Sequence, residues 1–369
     1  MSTESEPTLE PVSFQDLAGW SIDNHDAALD AFRLSCREIL DTGAGFARPV
    51  RFAGTREAWK ILCQEAFEAR DARRFFEARF QPFRVIDQSR PAGLFTGYFE
   101  PEAAGARERS ETYRVPIYRK PADLVSFSEE EQRESGLAYG RRVDGKPQPY
   151  FSRKEIEQGR LDAQGLELVW LRDWADAFFI HVQGSGRVRL EDGSIIRLSY
   201  SAKSGLPYTG IGALLVERGV IRREDMSMQA LRAWMVDNPA AARELMWENR
   251  SFIFFREVEL ENQELGALGA QHVQLTPMRS LAIDRSQWAF GTPVWLDTSV
   301  PEGDGTILRN FRHLLIAQDT GSAITGLARG DVFWGFGEKA AVSAGHMKSP
   351  GTMTVLLPTS VAKDLGLLP

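Results

Sequence analysis

The stretches AQDTGSAITG (317–326) and GDVFWGFG (330–337) decide how the C-terminal part of the chain is interpreted. Each contains one aspartate, Asp319 or Asp331, close to glycine and to β-branched or aromatic residues. A third aspartate, Asp284, follows the apolar run RSLAI. One aspartate near a glycine is usually a turn or capping residue. Three of them at the ends of strand-like runs weaken that interpretation without overturning it.

Protease, hydrolase and metal chemistries are poorly supported by the sequence. An aspartic protease needs two Asp-Thr/Ser-Gly loops whose carboxylates share a proton, and Asp297-Thr298-Ser299 lacks the glycine. QGSGR (183–187) is close to a serine-nucleophile elbow but precedes a hairpin instead of a helix. The histidines show no metal-ligand spacing, and His181 and His313 are interpreted as core residues of strand-like runs. No dinucleotide fingerprint is present, so we expect no metal and no cofactor.

Composition limits the partners and the location of the chain. A length of 369 residues predicts two or three domains. A net charge of −7 without a basic stripe argues against a nucleic-acid partner. No window approaches the apolar length of a membrane span. The start, MSTESEPTLEPVSF, has neither the basic nor the apolar region of an export signal. We therefore expect either a cytoplasmic protein or one whose signal has been removed.

The N-terminal part is predicted to be helical. Apolar periodicity predicts helices over 25–41, after Thr55 as an N-cap, and over about 72–79. The two cysteines, Cys36 and Cys63, fall on the first two helices. They are either two buried small apolar residues or a disulfide, which would require an oxidising compartment. The sequence leaves both alternatives open.

The remainder has a mixed middle segment and a β-rich end. The predicted elements are strands at 94–103 and 113–121, a helix over 153–158 with a Ser152–Glu155 capping box, a hairpin over 187–200, helices over 209–218, 225–236 and 239–247, several short strands from Ser251 onward, and a helix over about 338–345. Short strands, regular turns and many glycines suggest a small β-barrel.

Seven blocks occur in a fixed order along the chain: GYFEP (97–101), FFIHVQGSGRVRLEDG (178–193), LPYTGIG (206–212), NRSFIFFR (249–256), LTPMRSLAID (275–284), IAQDTGSAITG (316–326), and DVFWGFG with AGHMK (331–337, 344–348). Together they resemble the membrane-bound lytic transglycosylase A family, whose members cleave peptidoglycan glycan strands in the Gram-negative periplasm. The resemblance covers roughly residues 25–357. Each block alone is weakly specific, whereas seven in order are very specific.

The resemblance implies a mainly β fold with α-helices. A double-psi β-barrel domain would be built from 1–107 and 251–369, with the N-terminal helices and the three-aspartate motif. A second β-barrel-containing domain, 108–250, would be inserted into it, with a glycan groove between the two. The implied location is the periplasm, in association with the outer membrane. The family's lipoprotein signal and lipid-bearing cysteine do not occur in this sequence, so we expect a processed or trimmed form. An oxidising periplasm would favour the disulfide.

The resemblance also implies the chemistry. By position the catalytic acid is Asp331, Asp319 is its close partner, and Asp284 completes the motif. The family breaks the β-1,4 bond between N-acetylmuramic acid and N-acetylglucosamine without water, because the muramic O6 attacks C1 and gives a 1,6-anhydro product. One carboxyl group can first donate and then accept a proton. It has to be protonated near neutral pH, so we expect a raised pKa, caused by nearby aromatic residues and by an ionised Asp319.

Supporting and substrate-binding residues follow from the same blocks. Phe333, Trp334 and Phe336 are candidates for the apolar surroundings of the acid, and Thr96, Gly97 and Tyr98 for stabilising the transition state. The candidates for substrate contacts are Glu100, Gln183, Ser185, Arg187, Tyr208 and Trp334. Two alternatives stay open: Tyr98 packs in the core instead of stacking on a sugar, and residues 183–187 form only a structural turn.

The sequence departs from the family pattern in two of the blocks, and two other functions compete with catalysis. The family's Gly-Gly is Gly321-Ser322 here, and its Asn-Gly before the Pro-Tyr turn is Ser204-Gly205. The expected partner is the peptidoglycan glycan strand, with proteins of a cell-wall complex as further partners and a monomeric state. A non-catalytic glycan-binding barrel and a structural member of a cell-wall complex are the competing functions, because fold does not fix function.

Overall fold

The computed structural model describes residues 8–87, 92–302, 307–321 and 323–368. Its α-helical segments are α1 (His25–Asp41), α2 (Arg56–Glu68), α3 (Ala72–Arg79), α4 (Glu129–Ser135), α5 (Arg153–Glu155), α6 (Trp174–Gln183), α7 (Ile211–Glu217), α8 (Met228–Asp237), α9 (Pro239–Glu248), α10 (Gly337–His346) and α11 (Thr359–Asp364).

Its strands are β1 (Thr8–Pro11), β2 (Phe80–Ile86), β3 (Gly93–Glu100), β4 (Glu102–Ala106), β5 (Val115–Tyr118), β6 (Val125–Ser126), β7 (Tyr139–Val143), β8 (Lys146–Gln148), β9 (Glu167–Leu171), β10 (Ser185–Arg189), β11 (Ile195–Lys203), β12 (Ile253–Glu257), β13 (Ser280–Ile283), β14 (Pro293–Glu302), β15 (Ile307–Asp319), β16 (Arg329–Phe336) and β17 (Lys348–Pro358).

Most predicted elements are confirmed. Helices α1 and α3 have the predicted bounds, and β10 and β11 form the predicted antiparallel hairpin. The capping box of Ser152 and Glu155 is present, although α5 continues as a π-helical turn over Ile156–Arg160. Thr55 occupies the N-cap position of α2, but its side chain makes no capping hydrogen bond.

Helix α6 is missing from the predicted elements, and the assignment of His181 to a strand-like run is wrong. Its residues FFIHV are apolar without clear periodicity, and such a run cannot be distinguished from a buried strand by pattern alone. The ends define the helix. The Asp173 carboxylate accepts a hydrogen bond from the backbone N–H of Asp176 at 2.9 Å, and Gly184 ends the helix at φ 74°. His181 is buried in this helix.

The chain divides into two compact units, one containing the described residues up to Phe99 and from Asn262, the other covering Glu100–Glu261. In the first unit six strands close into a barrel in the order β17–β14–β15–β13–β16–β3, with β3 pairing back onto β17. Strands β13 and β15 are parallel, and β2 and β1 extend the sheet from β17. Because β3 comes from the N-terminal segment, both segments are needed to close the ring.

Helices α1 to α3 pack against the barrel of the first unit. Their apolar side chains, such as Phe32 and Trp59, share a core with Trp295, which lies on β14. Cys36 and Cys63 form a disulfide between α1 and α2, with their Cα atoms 5.0 Å apart. The disulfide is thus the alternative that the structure supports.

A buried ion-pair cluster joins the segment before α1 to the barrel. Asp23, whose side chain is 1% exposed, accepts two hydrogen bonds from the Arg279 guanidinium at 2.8 and 2.9 Å. It also contacts His313 Nδ1 at 2.8 Å and accepts from the backbone N–H of Leu314 at 3.0 Å. Burial acts to raise the pKa of Asp23, but these hydrogen bonds and the Arg279 charge outweigh it and lower that pKa.

The second unit contains its own sheet, in the order β12–β11–β10–β4–β9–β5. A bridge between Arg119 and Phe255 joins the segment after β5 to β12 and brings the two edges together. Helix α6 shares a core with α7, α8 and α9, and β6, β7 and β8 form a small sheet. The predicted fold class, mainly β with α-helices, is confirmed.

The predicted insert, 108–250, lies inside the second unit, whose bounds are Glu100 and Glu261. Within the described ranges, no helix combines the length and the apolar character that crossing a bilayer would require.

Candidate active site

Asp319 and Asp331 flank one residue of the central strand β13. Ala282 pairs with Asp319 across the parallel β13–β15 ladder and with Asp331 across the antiparallel β13–β16 ladder. A β-bulge in the first ladder skips Gln318 and brings Asp319 into this register. Residues directly opposite each other share a face of the sheet, so both carboxylates point to the face of Ala282, with Cα atoms about 10 Å apart. The side chain between them on this face of β13 is the methyl group of Ala282.

A chain of hydrogen bonds holds one oxygen of Asp331. The Arg329 guanidinium donates from Nη2 to Thr96 Oγ1 at 2.8 Å, and Thr96 Oγ1 lies 2.6 Å from Asp331 Oδ1. Because arginine only donates, Thr96 accepts from it and uses its single proton toward Asp331. Asp331 Oδ2 makes no hydrogen bond within the described ranges of the chain. A proton on Asp331 therefore belongs on Oδ2, the oxygen that Thr96 does not contact.

The surroundings of Asp331 favour its protonated form. Burial raises the pKa of Asp331, and the charge of Asp319 acts in the same direction. The hydrogen bond from Thr96 and the charge of Arg329 oppose the shift without cancelling it. The direction agrees with the expectation from the sequence, with burial as the largest cause.

Asp319 has more hydrogen-bond donors than Asp331. Its Oδ2 accepts from the Tyr98 hydroxyl at 2.8 Å, and its Oδ1 accepts from the backbone N–H groups of Ala270 and Thr320, both at 2.9 Å. Burial raises the pKa of Asp319, although these three donors act to lower it. Burial and the Asp319 charge also raise the pKa of Tyr98 well above its ordinary value, so the phenol stays neutral and donates.

Because side chains alternate along a strand, the neighbouring aromatic residues Phe333 and Trp334 lie on opposite faces of β16. Phe333 lies on the same face of β16 as Asp331, and its ring contacts that of Tyr98 at 5.3 Å between centroids. Trp334 lies on the opposite face and is 8% exposed. A Cβ atom at Gly97 would lie only 2.5 Å from Trp334 Nε1, so this position requires glycine. The predicted apolar residue Phe336 is half-buried at the start of α10.

Asp284 lies in the turn after β13. Its Oδ1 accepts from the backbone N–H and the hydroxyl of Ser286, and its Oδ2 accepts from Gly326 N–H at 2.7 Å. Burial acts to raise the pKa of Asp284, but these hydrogen bonds lower it overall. Asp284 thus ties two loops together and makes no hydrogen bond to the other two aspartates. Ser322, the departure next to the Asp-Thr-Gly turn, lies outside the described residues.

The predicted substrate contacts from the middle of the chain belong to the second unit. Glu100 is buried and pairs with Arg197 at 2.7 Å, and Arg187 is buried beside Glu102 at 3.2 Å. The remaining positions are more accessible: Gln183 is the last residue of α6, Ser185 begins β10, and Tyr208 is 61% exposed before α7. Ser204, which replaces the family's asparagine, is buried and accepts from Phe252 N–H.

Sequence reasoning missed two groups that contact the carboxylates or their partners. Arg329 stands two residues before Asp331, and strand alternation puts both on one face. That spacing is the signal that could have identified it. The backbone N–H of Ala270 comes from an irregular loop, and no residue type in the sequence marks it.

Comparison with known proteins gives one family-model match for the middle of the chain and another for its C-terminal part. The family model of the MltA specific insert domain matches residues 94–256, and that of the 3D domain matches residues 279–357. The chain is 34% identical over 261 residues to membrane-bound lytic murein transglycosylase A of Vibrio cholerae serotype O1. That match covers 70% of this chain but only 63% of the relative, which is less than two thirds of its length.

Two solved structures extend the similarity over almost the whole chain. A membrane-bound lytic murein transglycosylase from Agrobacterium tumefaciens is 34% identical, with a TM-score of 0.81, and the match covers 97% of this chain and 99% of that one. E. coli MltA with bound chitohexaose is 25% identical, with a TM-score of 0.67, over 97% and 93% of the two chains. The chain therefore belongs to the membrane-bound lytic murein transglycosylase A family.

Proposed function

We propose that this chain is a lytic transglycosylase that cleaves the β-1,4 bond between N-acetylmuramic acid and N-acetylglucosamine in peptidoglycan. Membership of the family supports the reaction class, and the Vibrio relative carries the corresponding name. The bound chitohexaose in the E. coli relative supports a glycan substrate. The domain built from both ends of the chain would carry the catalytic groups, and the inserted domain would contribute substrate contacts.

The observation that carries the proposal is the arrangement around Asp331. One carboxyl oxygen is held by Thr96, the other makes no hydrogen bond, and burial raises the pKa. A carboxyl group in this state can present a proton in a fixed direction near neutral pH. No second carboxylate is required as nucleophile or as a base for water, because the attacking hydroxyl group belongs to the substrate.

The proposed reaction uses one carboxyl group twice, first as an acid and then as a base. Asp331 donates its Oδ2 proton to the glycosidic oxygen while the bond from that oxygen to C1 breaks, and positive charge develops on the sugar ring. The muramic O6 attacks C1 from within the same residue, which makes the step intramolecular. The ionised Asp331 then takes the O6 proton and returns to its starting state. The product is a 1,6-anhydro sugar, and water is not consumed.

Asp319 is the proposed partner of the acid. Its three donors hold the carboxylate in one orientation, and its charge raises the pKa of Asp331. Thr96, Gly97 and Tyr98 are proposed to support the transition state from β3, and Asp284 to hold the adjoining loops. Trp334 packs against Gly97 on the far face, where it would fix the strand that carries the acid.

The proposed substrate contacts in the inserted domain differ in exposure. Gln183, Ser185 and Tyr208 are accessible and are proposed to bind sugar hydroxyl or lactyl groups. Glu100 and Arg187 are buried in ion pairs, and they would act by holding the end of β3 and the middle of β10 in place.

The test is a digest of purified peptidoglycan sacculi, with the products separated and weighed by mass spectrometry. Wild type should release 1,6-anhydromuramic products, each lighter by one water molecule than the hydrolysis product, and Asp331→Asn should release none. Asp297→Asn is a matched control, because Asp297 is an aspartate of the same unit that pairs with Arg312 away from the site. Reducing-end products from wild type would mean hydrolysis and would contradict the mechanism.

The competing function, a non-catalytic glycan-binding barrel, makes a different prediction. It requires that wild type bind glycan strands without releasing any product, and that Asp331→Asn bind equally well. Glycan pull-down beside the digest separates the two functions.

We propose the periplasm as the location, in association with the outer membrane. The Cys36–Cys63 disulfide supports an oxidising compartment, and the names of the relatives support a membrane association. A monomeric state and partners in a cell-wall complex stay predictions.

A further inference from the structure

The second unit contains a charged cavity that the proposed catalytic function does not use. Its volume is about 510 Å³, within the range of roughly 300–1,000 Å³ typical of small-molecule sites. Its walls come from the segment before β5, from β5, β9 and the start of α6, and from the turn after α5. The lining residues that carry chemistry are Arg109, Arg114, Glu157, Asp162, Glu167, Trp170 and Trp174.

One wall of this cavity is rigidly built. The Arg243 guanidinium stacks 3.6 Å from the centroid of the Trp174 ring and pairs with Glu157. The Glu157 side chain is 3% exposed and also accepts from Arg153 at 3.1 Å and from Trp247 Nε1 at 2.9 Å. Its charge is therefore fully compensated, and the wall presents the Trp174 ring as a fixed surface.

Other lining residues carry charged side chains without charged partners. Arg109 and Arg114 are exposed, and within the described ranges neither lies within ion-pair distance of a carboxylate. Arg109 only approaches the Trp170 ring, at 5.9 Å. The Glu167 side chain is half-buried and likewise has no hydrogen-bond or ion-pair partner in the described chain. Asp162 is exposed and accepts only a long hydrogen bond of 3.5 Å from Tyr118. The cavity thus offers two guanidinium groups and two carboxylates to a ligand.

The turn that closes the cavity has an unusual backbone. The π-helical turn Ile156–Arg160 contains Gly159 at φ 99°, where a Cβ atom would lie 2.7 Å from Asp162 Oδ2. Ala163 has a positive φ of 62°, which is rare for a residue with a side chain. Such strain persists only where surrounding contacts maintain it. Here the absence of a side chain at Gly159 leaves room for the Asp162 carboxylate, and both residues line the cavity.

A second cavity adjoins the first. It has a volume of about 480 Å³ and shares Arg114 and Trp174 with the charged cavity, while Met235, Val236 and Met246 give it an apolar lining. A ligand that extends past Trp174 would place small apolar groups there. The combination suits a short chain with carboxylates, an ammonium group and small alkyl side chains.

We propose that this cavity binds a short zwitterionic peptide, and, resting on the proposed function, that this peptide is the stem peptide attached to the glycan strand. Guanidinium groups bind carboxylates by paired hydrogen bonds, and free carboxylates accept an ammonium group. A neutral sugar would use the tryptophans but would make no ion pair with the arginines or the carboxylates. Trp174 begins α6 and Gln183 ends it, so the cavity lies about 14 Å along the helix from the proposed sugar contacts. A stem peptide can span such a distance.

The test titrates the full chain with the soluble stem tetrapeptide of Gram-negative peptidoglycan, followed by isothermal calorimetry. Wild type should bind saturably, and R109Q/R114Q should raise the Kd at least about tenfold, since it removes both charge-assisted contacts. R218Q/R222Q is the matched control, because these exposed arginines pair elsewhere in the unit; its Kd should stay within about twofold. No saturable binding to wild type, or an equal loss in the control, would overturn the proposal. So would equally tight binding of an all-L peptide of the same composition, which would assign the cavity to another acidic partner.

A second readout keeps this inference separate from the proposed function. The KM for glycan strands is compared between strands that carry peptides and strands from which an amidase has removed them. The ratio is the KM for peptide-carrying strands divided by the KM for peptide-free strands. In R109Q/R114Q this ratio should rise about tenfold over wild type, and an unchanged ratio would contradict the stem-peptide assignment. If wild type cleaves neither substrate, the proposed catalysis fails, while the peptide titration still tests the cavity.

Discussion

Replacing Thr96 by valine tests the proposed acid through a single hydroxyl group. That hydroxyl lies 2.6 Å from Asp331 Oδ1 and accepts from Arg329 at 2.8 Å. Valine has a similar shape, so β3 is expected to keep its pairing with β16 and β17. The hydrogen bond from Thr96 stabilises the ionised carboxylate, and its loss therefore raises the pKa of Asp331 further.

The magnitude follows from the type of hydrogen bond. A hydrogen bond to a charged group contributes about 1.5–3 kcal/mol, and one pKa unit corresponds to about 1.36 kcal/mol, so the pKa of Asp331 should rise by about one to two units. The acid has to be protonated to act. Activity is therefore present below this pKa and is lost as the pH rises through it. In Thr96→Val the falling limb of kcat/KM should move to higher pH by the same amount, while the plateau falls because a weaker acid protonates less readily.

The assay follows the release of anhydro products between about pH 4 and 9, a range that starts near the ordinary carboxyl pKa and extends well above it. Thr96→Ser is the control, because it keeps the hydroxyl and should leave the limb in place. A limb that stays fixed in Thr96→Val, or that moves to lower pH, would refute the assignment of Asp331 as the acid held by Thr96.

Three further predictions concern stability. Asp23→Asn should lower the free energy of unfolding by about 3–5 kcal/mol in urea titrations at pH 7, because it leaves a buried guanidinium unpaired. The folded pKa of Asp23 is lowered, so the difference in unfolding free energy between wild type and variant should shrink as the pH falls below about 4. A difference that does not depend on pH would contradict this. Replacing Cys36 and Cys63 by alanine opens a link of sequence separation 27 and should cost about 3.5 kcal/mol, a loss that should match reduced wild type in the same titration. Gly97→Ala should cost roughly 1–3 kcal/mol through its clash with Trp334, and an unchanged thermal midpoint would mean that β3 can shift.

Local signals in the sequence predict much of the fold. Helix α1 and the β10–β11 hairpin follow from periodicity and from the Asp192-Gly193 turn. Helix α6 does not, because its apolar residues give no periodic contrast and only its two ends define it. The Asp173 cap and Gly184 were readable in the sequence. A search for such end signals before the periodicity is judged would have located the helix.

The candidate site is predictable in its residues but not in its connections. The pair Asp319 and Asp331 stands out in the sequence. The distance between them in space, however, depends on the register in which β13 pairs with β15 and β16, which no local pattern specifies. Thr96 and Arg329 are 233 positions apart and meet only when the ring closes. Strand alternation alone could have assigned Trp334 to the far face from Asp331.

Closure of the barrel and assembly of the site depend on the same strand. Thr96 and Tyr98 both lie on β3, and each supplies a side-chain hydrogen bond to one of the two carboxylates. Strand β3 pairs with β16 and β17, and without it the ring stays open. Before closure, Asp331 lacks the hydroxyl that fixes its orientation, and Asp319 keeps only backbone donors. The oriented acid is therefore a property of the closed ring, and a chain whose C-terminal strands fold without β3 would have both aspartates but no defined proton donor.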